Sequence, residues 1–327
     1  MQLLLDYHGT SSEYITVLEG IREEAGDDVR ILYSQGCDLY KDKVENLAWD
    51  QDRISEAVIT AENSDVVILC VGLNETLEGE EGDTGNSDAS GDKVDLHLPK
   101  VQEELIEKVT AVGKPTIVVL MAGSAIDLNY AQDNCNGILL AWYPGARGGR
   151  AVADLLFGKE SPSGKLPVTF YKDLEGMPEF TDYSMKNRTY RYMEKEALYP
   201  FGYGLTYSDT CVTEAEVVGE VSAESDIMLK ATVKNNGTVD TDEVVQVYIK
   251  DLDSPLAVRN YSLCGFKRVY LKAGEFTISN KAMNIVDEDG NRYIAGKHFR
   301  LFAGVSQPDT RSAELTGHKP AEVEIAL

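Results

Sequence analysis

Four carboxylates stand close together in the sequence LEGEEGD, residues 77–83: Glu78, Glu80, Glu81 and Asp83. Like charges that share a site raise one pKa among them, and a carboxyl group kept protonated near neutral pH can act as a general acid. On local sequence alone, a solvated acidic loop is the simpler interpretation. The elements that position these residues bear on the choice.

The acidic segment directly follows a predicted strand. The apolar, β-branched run at 65–73 is typical of a strand that is covered on both faces. Such a strand would deliver residues 74–97 to the carboxyl edge of a sheet, where open α/β sheets bind their ligands. Loops of about 20 residues within a compact domain tend to be functional or disordered. Position therefore favours a chemical role more than composition does.

Helical and strand patterns alternate through the first half of the chain and predict an α/β domain with a largely parallel sheet. Apolar residues at helical spacing predict helices at 16–26, 51–63, 98–113 and 148–158. Short apolar runs predict strands at 29–36, 65–73, 114–123 and 136–145. We assign this domain to residues 1–170.

The second half of the chain loses the helical pattern. Strands are predicted at 226–237, 242–251, 266–274, 275–283 and 297–305. The first two would be joined through the turn pair Asn236–Gly237. Residues 210–327 are therefore expected to form an antiparallel, immunoglobulin or fibronectin III-like β-sandwich.

Residues 171–209 are rich in Tyr and Gly and predict an irregular connector. Its tyrosines, in NRTYRY and YPFGYG, suit a sugar-stacking platform, since a tyrosine ring is apolar with a polar tip. Packing between the domains is the simpler interpretation of the same residues.

Composition limits the partners. A formal net charge of −24 over 327 residues would repel nucleic acid and anionic membranes, so neither is expected. No run approaches the ~18 apolar residues of a membrane helix, and MQLLLDYHGT lacks the features of a signal peptide. The cysteines are widely spaced without CxxC pairs, which favours a reducing compartment over a disulfide framework or a zinc site: Cys37, Cys70, Cys135, Cys211 and Cys264. We expect a cytoplasmic location and no cofactor.

Other kinds of site find little support. The segment GARGGR (145–150) does not match the GxGxxG pattern of dinucleotide-binding proteins, and close packing explains its glycines better. Ser124 has neither the second glycine of a nucleophile elbow nor an obvious histidine partner. The histidines are too scattered for a metal site or a catalytic triad: His8, His97, His298 and His318.

The order of the segments resembles one family. Its landmarks are DVVILCVGLNETLEGEE (65–81), LHLPKVQEELIEKV (96–109), ILLAWYPGARGGRAVADLLFGKESPSGKLPVTF (138–170) and LYPFGYGLTY (198–207). Together they resemble the C-terminal half of glycoside hydrolase family 3, the β-glucosidase and β-xylosidase family. LCGFKRVYLKAGE (263–275) is similar to its terminal fibronectin III-like domain. The resemblance implies a layered α/β/α sandwich, here lacking its first strand, followed by that all-β domain.

The resemblance also implies a catalytic residue. In this family a (β/α)8 barrel supplies a nucleophilic Asp, and the sandwich supplies an acid/base Glu from a GEG, GEE or AEG loop after a strand. Matching that loop places Glu80 at the acid/base position, with Glu81 as its rival, and Thr84 where an Arg is common. Because no segment resembles the barrel, the nucleophile is expected on a missing domain or a partner chain.

The expected function is therefore part of a retaining, exo-acting β-glycosidase that hydrolyses terminal β-D-glucosyl or β-D-xylosyl residues. Its substrate would be a β-linked oligosaccharide or an aryl glycoside. Because the double displacement needs two carboxyl groups about 5–5.5 Å apart, the chain alone is expected to be inactive. The alternative is a non-catalytic module that binds carbohydrate or protein. A homodimer is also compatible with the resemblance.

Overall fold

The computed structural model describes residues 10–41, 49, 51–78, 93–270 and 274–327, with only the backbone described at 274–277. By their contacts these residues form two units. The first contains the described residues up to Lys159, together with Lys172–Leu174. The second contains Glu160–Tyr171 and Glu175–Leu327. The domain boundaries drawn from composition stay a prediction.

The first unit alternates helices with strands, as predicted. Its elements are α1 (Val17–Ala25), α2 (Asp52–Glu62), β1 (Val67–Gly72), α3 (Lys100–Thr110), β2 (Thr116–Met121), α4 (Asn129–Asn134), β3 (Gly137–Leu140) and α5 (Gly148–Leu156). The strands form a parallel sheet in the order β1-β2-β3. The central strand is the most buried, and its residues Val118, Val119 and Leu120 are fully enclosed. The predicted α/β architecture is confirmed.

Local sequence explains where the first helix begins. Thr16 accepts a hydrogen bond from the Glu19 amide, and the Glu19 carboxylate accepts one from the Thr16 amide at 2.8 Å. This reciprocal capping satisfies two amides that a helix start would otherwise leave unpaired. The apolar face of α1 then packs with α5 against Val119 and Met121 of the central strand.

Gly149 of GARGGR serves packing between two helices, as expected. A Cβ atom on Gly149 would lie 2.0 Å from the Thr16 carbonyl oxygen, and one on Gly20 would lie 2.2 Å from the Gly149 carbonyl oxygen. The Gly149 amide also donates to the Ile15 carbonyl at 3.0 Å. Only glycine allows α1 and α5 to approach this closely.

The strand predicted at 29–36 is wrong. No ladder assignment falls on these described residues. Instead, residues 28–41 line one side of a cavity of about 1430 Å³, and β1 lines another. Without an adjacent strand, the apolar pattern alone does not create a ladder, because strand assignment requires hydrogen-bonded partners.

The second unit is largely antiparallel β structure. Its elements are β4 (Phe170–Tyr171), α6 (Thr189–Tyr192), β5 (Ala197–Tyr199), β6 (Thr210–Val218), β7 (Ile227–Asn235), β8 (Asp242–Asp251), β9 (Ser262–Tyr270), β10 (Gly274–Ile278), a 3₁₀ turn (Asn280–Met283), β11 (Ile285–Val286), β12 (Arg292–Tyr293), β13 (His298–Gly304), α7 (Thr310–Thr316) and β14 (Ala321–Ala326). The main sheets have the orders β10-β7-β6 and β14-β13-β8-β9. The short strands form two separate two-stranded sheets, β4-β5 and β11-β12.

Alternating burial identifies the second unit as a sandwich. Along β7, Ile227, Leu229 and Ala231 are buried while the residues between them are more exposed. These side chains join one apolar core with residues of the other sheet, including Val247 and Leu301. One buried face on each sheet is the pattern of two packed antiparallel sheets. The predicted fibronectin III-like fold is confirmed.

The hairpin predicted at Asn236–Gly237 is wrong, because β7 and β8 belong to different sheets. The Asn236 amide donates to the Asp209 carbonyl at 2.7 Å, and the Asn235 side chain accepts from the Ser208 hydroxyl at 2.6 Å. These bonds tie the turn to the segment before β6. The turn therefore carries the chain from one sheet to the other.

Candidate active site

The acidic segment begins at the carboxyl edge of the parallel sheet, as predicted. After β1, the amides of Leu77 and Glu78 both donate to the Asn74 carbonyl, at 3.0 and 2.9 Å. The Asn74 side chain accepts from the Thr76 amide at 3.0 Å and from its hydroxyl at 2.8 Å. This turn fixes the backbone at Glu78. Glu80, Glu81 and Asp83 lie outside the described residues.

The Glu78 carboxylate is where the ends of all three parallel strands meet. One oxygen, Oε2, accepts a hydrogen bond from the Gly123 amide after β2 at 3.0 Å. The same oxygen accepts from the Tyr143 hydroxyl after β3. The other oxygen, Oε1, accepts from the Ser124 hydroxyl. Because the donors come from the neighbouring strands, the carboxylate binds the start of the acidic segment to the sheet edge.

Lys93 directly follows the undescribed residues 79–92, and its side chain bonds the same Ser124 hydroxyl as Glu78 does. Its ammonium donates to the Ser124 hydroxyl at 2.8 Å and to the Ala125 carbonyl at 2.9 Å. Burial lowers the pKa of Lys93, while the nearby Glu78 carboxylate acts in the opposite direction. The two ends of the segment therefore share one hydroxyl group.

Tyr143 is held as a hydrogen-bond donor. Burial raises the pKa of its phenol well above the usual value, and the hydrogen bond to Glu78 adds to the shift. Its neighbour Trp142 has φ at +53°, a left-handed conformation that a bulky residue rarely adopts. Such strain persists only where surrounding structure enforces it, and it often marks functional sites.

Position 123 must be glycine because the Tyr143 ring and the Glu78 carboxylate lie too close for a side chain. A Cβ atom at this position would lie 2.6 Å from the Tyr143 ring and 3.3 Å from Glu78 Oε2. The ring could not keep its place against such an atom. The glycine therefore lets the backbone amide and the phenol reach the same carboxylate oxygen.

This arrangement can hold a catalytic loop but does not itself suit proton transfer to a substrate. Both oxygens of Glu78 already accept hydrogen bonds from protein groups. A carboxylate engaged in this way has little capacity left for a sugar oxygen. Glu78 therefore anchors the start of the acidic segment.

The described residues offer no metal site of three or more His, Cys, Asp or Glu side chains. His97, His298 and His318 pair with single carboxylates, and His8 lies outside the described residues. All five cysteines are free thiols. In the part of the chain that the structure describes, no helix has the length and apolarity needed to cross a bilayer.

Tyr190 of NRTYRY packs within the second unit. Tyr190 stacks on Phe201 with ring centroids 4.5 Å apart and meets Tyr248 edge-on at 6.0 Å. Its hydroxyl accepts a hydrogen bond from the Leu263 amide at 2.9 Å. These contacts bind the segment to the four-stranded sheet. The described contacts of Tyr190 thus favour packing over a sugar-stacking role.

Sequence reasoning missed Gly123, Ser124, Tyr143 and Lys93 as site residues. A signal was available for the first three, since each lies at or just beyond the carboxyl end of a parallel strand, β2 or β3, and the carboxyl ends of such strands share one edge. Nothing local to Lys93 indicates its partner 31 residues away.

Comparison with known proteins agrees with this fold. Residues 3–207 match the model of the glycosyl hydrolase family 3 C-terminal domain. The chain belongs to glycosyl hydrolase family 3. Residues 243–307 of this family 3 chain match the model of a fibronectin type III-like domain. Both parts of the resemblance found in the sequence are confirmed.

Relatives of this family 3 chain include named glycosidases. It is 34% identical to a β-xylosidase from Formosa agariphila over 96% of this chain and 43% of that protein. It is 40% identical to a xylan 1,4-β-xylosidase from Xylanibacter ruminicola over 80% of this chain and 31% of that one. A solved β-glucosidase from Erythrobacter marinus has a TM-score of 0.81 at 28% identity, over 100% of this chain and 45% of that one. The chain thus spans less than half the length of these relatives.

Proposed function

We propose that this chain is the part of a retaining β-glycosidase that supplies the general acid/base, and that Glu80 is that residue. The observation that carries the proposal is the anchoring of Glu78 to the ends of three strands, two positions before Glu80. An anchor so near in sequence would restrict where Glu80 can lie. The named activities of the relatives support β-glucosides or β-xylosides as substrates.

In this mechanism the nucleophilic Asp comes from a (β/α)8 barrel outside the chain. The Asp attacks the anomeric carbon while Glu80 protonates the departing glycosidic oxygen. Glu80 then removes a proton from the water that hydrolyses the glycosyl-enzyme. The lengths of the relatives leave room for such a barrel, because this chain covers 43% of the Formosa agariphila enzyme.

The proposal is tested by leaving-group dependence in the complete enzyme, meaning this chain with its barrel. Glu80→Gln should lower kcat/KM by about 10²–10⁴-fold for aryl glycosides with poor leaving groups. For a dinitrophenyl glycoside the loss should be much smaller, since that leaving group needs little protonation. Glu81→Gln is the matched control and should show no such difference. If Glu81→Gln shows the difference and Glu80→Gln does not, the acid is Glu81.

We also propose that one further strand completes the first unit. The backbone amides of Val67 and Leu73 donate toward β2, so the odd-numbered residues of this segment bond that strand. The backbone amides and carbonyls of Ile68 and Cys70 therefore face the opposite edge of β1. That edge lines the 1430 Å³ cavity whose other side is formed by residues 28–41. The cavity therefore has apolar side chains in its lining and, along β1, a strand edge that can pair with a further strand.

Topology supports placing this further strand in the cavity, parallel to β1. Helix α1 packs with α5, whereas α2 packs with α3 and α3 with α4. In a doubly wound sheet of order 2-1-3-4-5, strand 1 leads into the first helix and lies between strands 2 and 3. β1, β2 and β3 then correspond to strands 3, 4 and 5, and residues 29–36, which form no ladder, line the cavity on the side where strand 2 would lie. The cavity corresponds to strand 1.

A further inference from the structure

The hydroxyl of Ser124 contacts both ends of the segment that contains Glu80. On one side it donates to Glu78 Oε1. On the other it accepts from the Lys93 ammonium at 2.8 Å. Glu78 and Lys93 are 15 positions apart in sequence. No other side chain among the described residues is shown bonding both of them.

The direction of these bonds is set by chemistry. A serine hydroxyl has one hydrogen to donate and lone pairs with which to accept, while an ammonium can only donate and a carboxylate only accepts. The order is therefore Lys93 to Ser124 to Glu78. Both outer bonds are charge-assisted, which makes them stronger than bonds between neutral groups.

The bridging hydroxyl stands on a rigid support. Ser124 follows the central strand by three residues, and its neighbours in the chain, Ala122 and Ile126, are fully buried. Lys93 is further fixed by its bond to the Ala125 carbonyl at 2.9 Å. Fixing both ends of a segment removes many of the conformations that it could otherwise adopt.

We infer that Ser124 is a positioning residue for the general acid/base, acting by holding both ends of the 79–92 segment at the sheet edge. The inference rests on the proposed function, because it assigns Ser124 a role through Glu80. A general acid must lie within hydrogen-bond reach of the glycosidic oxygen, and a displacement of about 1 Å can cost about 10²-fold in rate. Loss of the bridge should therefore impair protonation more than nucleophilic attack.

The experiment compares variants of the complete enzyme on aryl glycosides of graded leaving-group pKa. Ser124→Ala should lower kcat/KM by about 10- to 100-fold for poor leaving groups and by less than about 3-fold for dinitrophenyl glycosides. Ser124→Thr, which keeps a hydroxyl, should recover much of the loss. Ser64→Ala is the control, since the Ser64 hydroxyl donates to the Thr60 carbonyl at the end of α2, away from Glu78 and Lys93. Ser64→Ala should leave kcat/KM unchanged for every aryl glycoside.

A second measurement does not depend on turnover. In this chain, Ser124→Ala should speed amide hydrogen exchange of residues 79–92 without changing exchange in the β2 strand. Lys93→Met, which removes one arm of the bridge, should act in the same direction. Lys93→Met keeps the inference testable if Ser124→Ala lowers the yield of folded enzyme.

The outcomes separate the two proposals. A uniform loss across leaving groups, or none, in Ser124→Ala overturns the positioning role, provided that Glu80→Gln still shows a steep dependence. If Glu80→Gln itself shows no dependence on the leaving group, the proposed function fails, whatever Ser124 does. Unchanged exchange of residues 79–92 in both Ser124→Ala and Lys93→Met also overturns the positioning role.

Discussion

The phenol of Tyr143, in the turn after β3, donates a hydrogen bond to the carboxylate of Glu78, in the turn after β1. The two residues are 65 positions apart and come from strands that do not pair with each other. Between them, the Gly123 amide after β2 donates to the same carboxylate oxygen at 3.0 Å. One carboxylate therefore joins the carboxyl ends of the whole described parallel sheet.

Removing the Tyr143 hydroxyl should destabilise the first unit. Tyr143→Phe leaves Glu78 with one donor fewer in a partly buried place, which should cost about 1–3 kcal/mol of unfolding free energy. Urea unfolding, followed by tryptophan fluorescence, measures the change. Tyr130→Phe is the control, since its hydroxyl shares an exposed hydrogen bond with the Thr110 hydroxyl at 3.1 Å, and it should cost less than about 0.5 kcal/mol. Equal costs for the two variants would contradict the role given to Tyr143.

The strand proposal predicts how Cys70 reacts. Its side chain is exposed to the cavity beside β1, while the protein atoms that line this cavity raise the pKa of the thiol to about 11. Maleimide labelling of the chain should therefore be slow near neutral pH and accelerate as the pH rises toward that pKa. In the complete enzyme, where the added strand would cover β1, labelling should fall by about tenfold or more.

Cys135 supplies the internal control for this labelling. It is half-buried at the end of α4, away from the cavity lining. The rate at which maleimide labels Cys135 should be similar in the chain and in the complete enzyme. If Cys70 reacts equally fast in both, no strand covers that edge of β1.

His97 should titrate above its usual pKa. The hydrogen bond from its ring to the Glu103 carboxylate at 2.8 Å is the main cause, and Asp127 and Asp95 add smaller contributions. Since the folded-state pKa is raised, this pair stabilises the fold fully below pH about 6.5 and loses its effect as pH rises through the folded pKa. NMR titration of the ring should show Glu103→Gln lowering that pKa. Glu107→Gln, on the same helix, should leave it unchanged.

The buried pair of Lys165 and Glu243 should stabilise the second unit. Their side chains are 8% and 3% exposed, and the ammonium lies 2.8 Å from the carboxylate. Desolvation lowers the pKa of Lys165, and Glu243 opposes that effect. Lys165→Met leaves a buried carboxylate without its cation and should cost about 3–5 kcal/mol of unfolding free energy. Lys230→Met, in an exposed pair, should cost less than about 1 kcal/mol.

The double variant Lys165→Met/Glu243→Gln gives the coupling between the two residues. It should be less destabilised than the sum of the single variants, because neither residue is then left as an unpaired buried charge. Strict additivity would contradict the pairing. Lys165 also donates to the Gly204 carbonyl at 2.6 Å. The unfolding free energies of the Lys165 variants therefore also include the loss of this hydrogen bond to Gly204.

Much of the fold could be predicted from the sequence because its signals are local. The spacing of Val101, Leu105 and Val109 predicts α3, and all three side chains are buried. The alternation along β7 likewise predicts a strand with one buried face. Strand pairing is less local. The Asn236–Gly237 pair indicates a turn but not which sheet the next strand joins, and the apolar pattern of 29–36 cannot form a ladder without a neighbouring strand.

The candidate site was only partly predictable for the same reason. The position of Glu78 after β1 identifies the functional edge of the sheet. Its donors Gly123, Ser124 and Tyr143 reach it because of the register of three parallel strands. That register is a tertiary property, and no spacing within one segment encodes it. The resemblance to family 3 indicated Glu80 but not the group that anchors its segment.

The central claim is that Glu80 is the general acid, and the pH dependence of kcat/KM in the complete enzyme tests it most directly. A general acid must be protonated in the free enzyme, so activity toward a substrate with a poor leaving group should fall on the alkaline side. In Glu80→Gln that alkaline fall should vanish along with most of the activity, while Glu81→Gln should keep both. An alkaline fall that persists unchanged in Glu80→Gln would contradict the account.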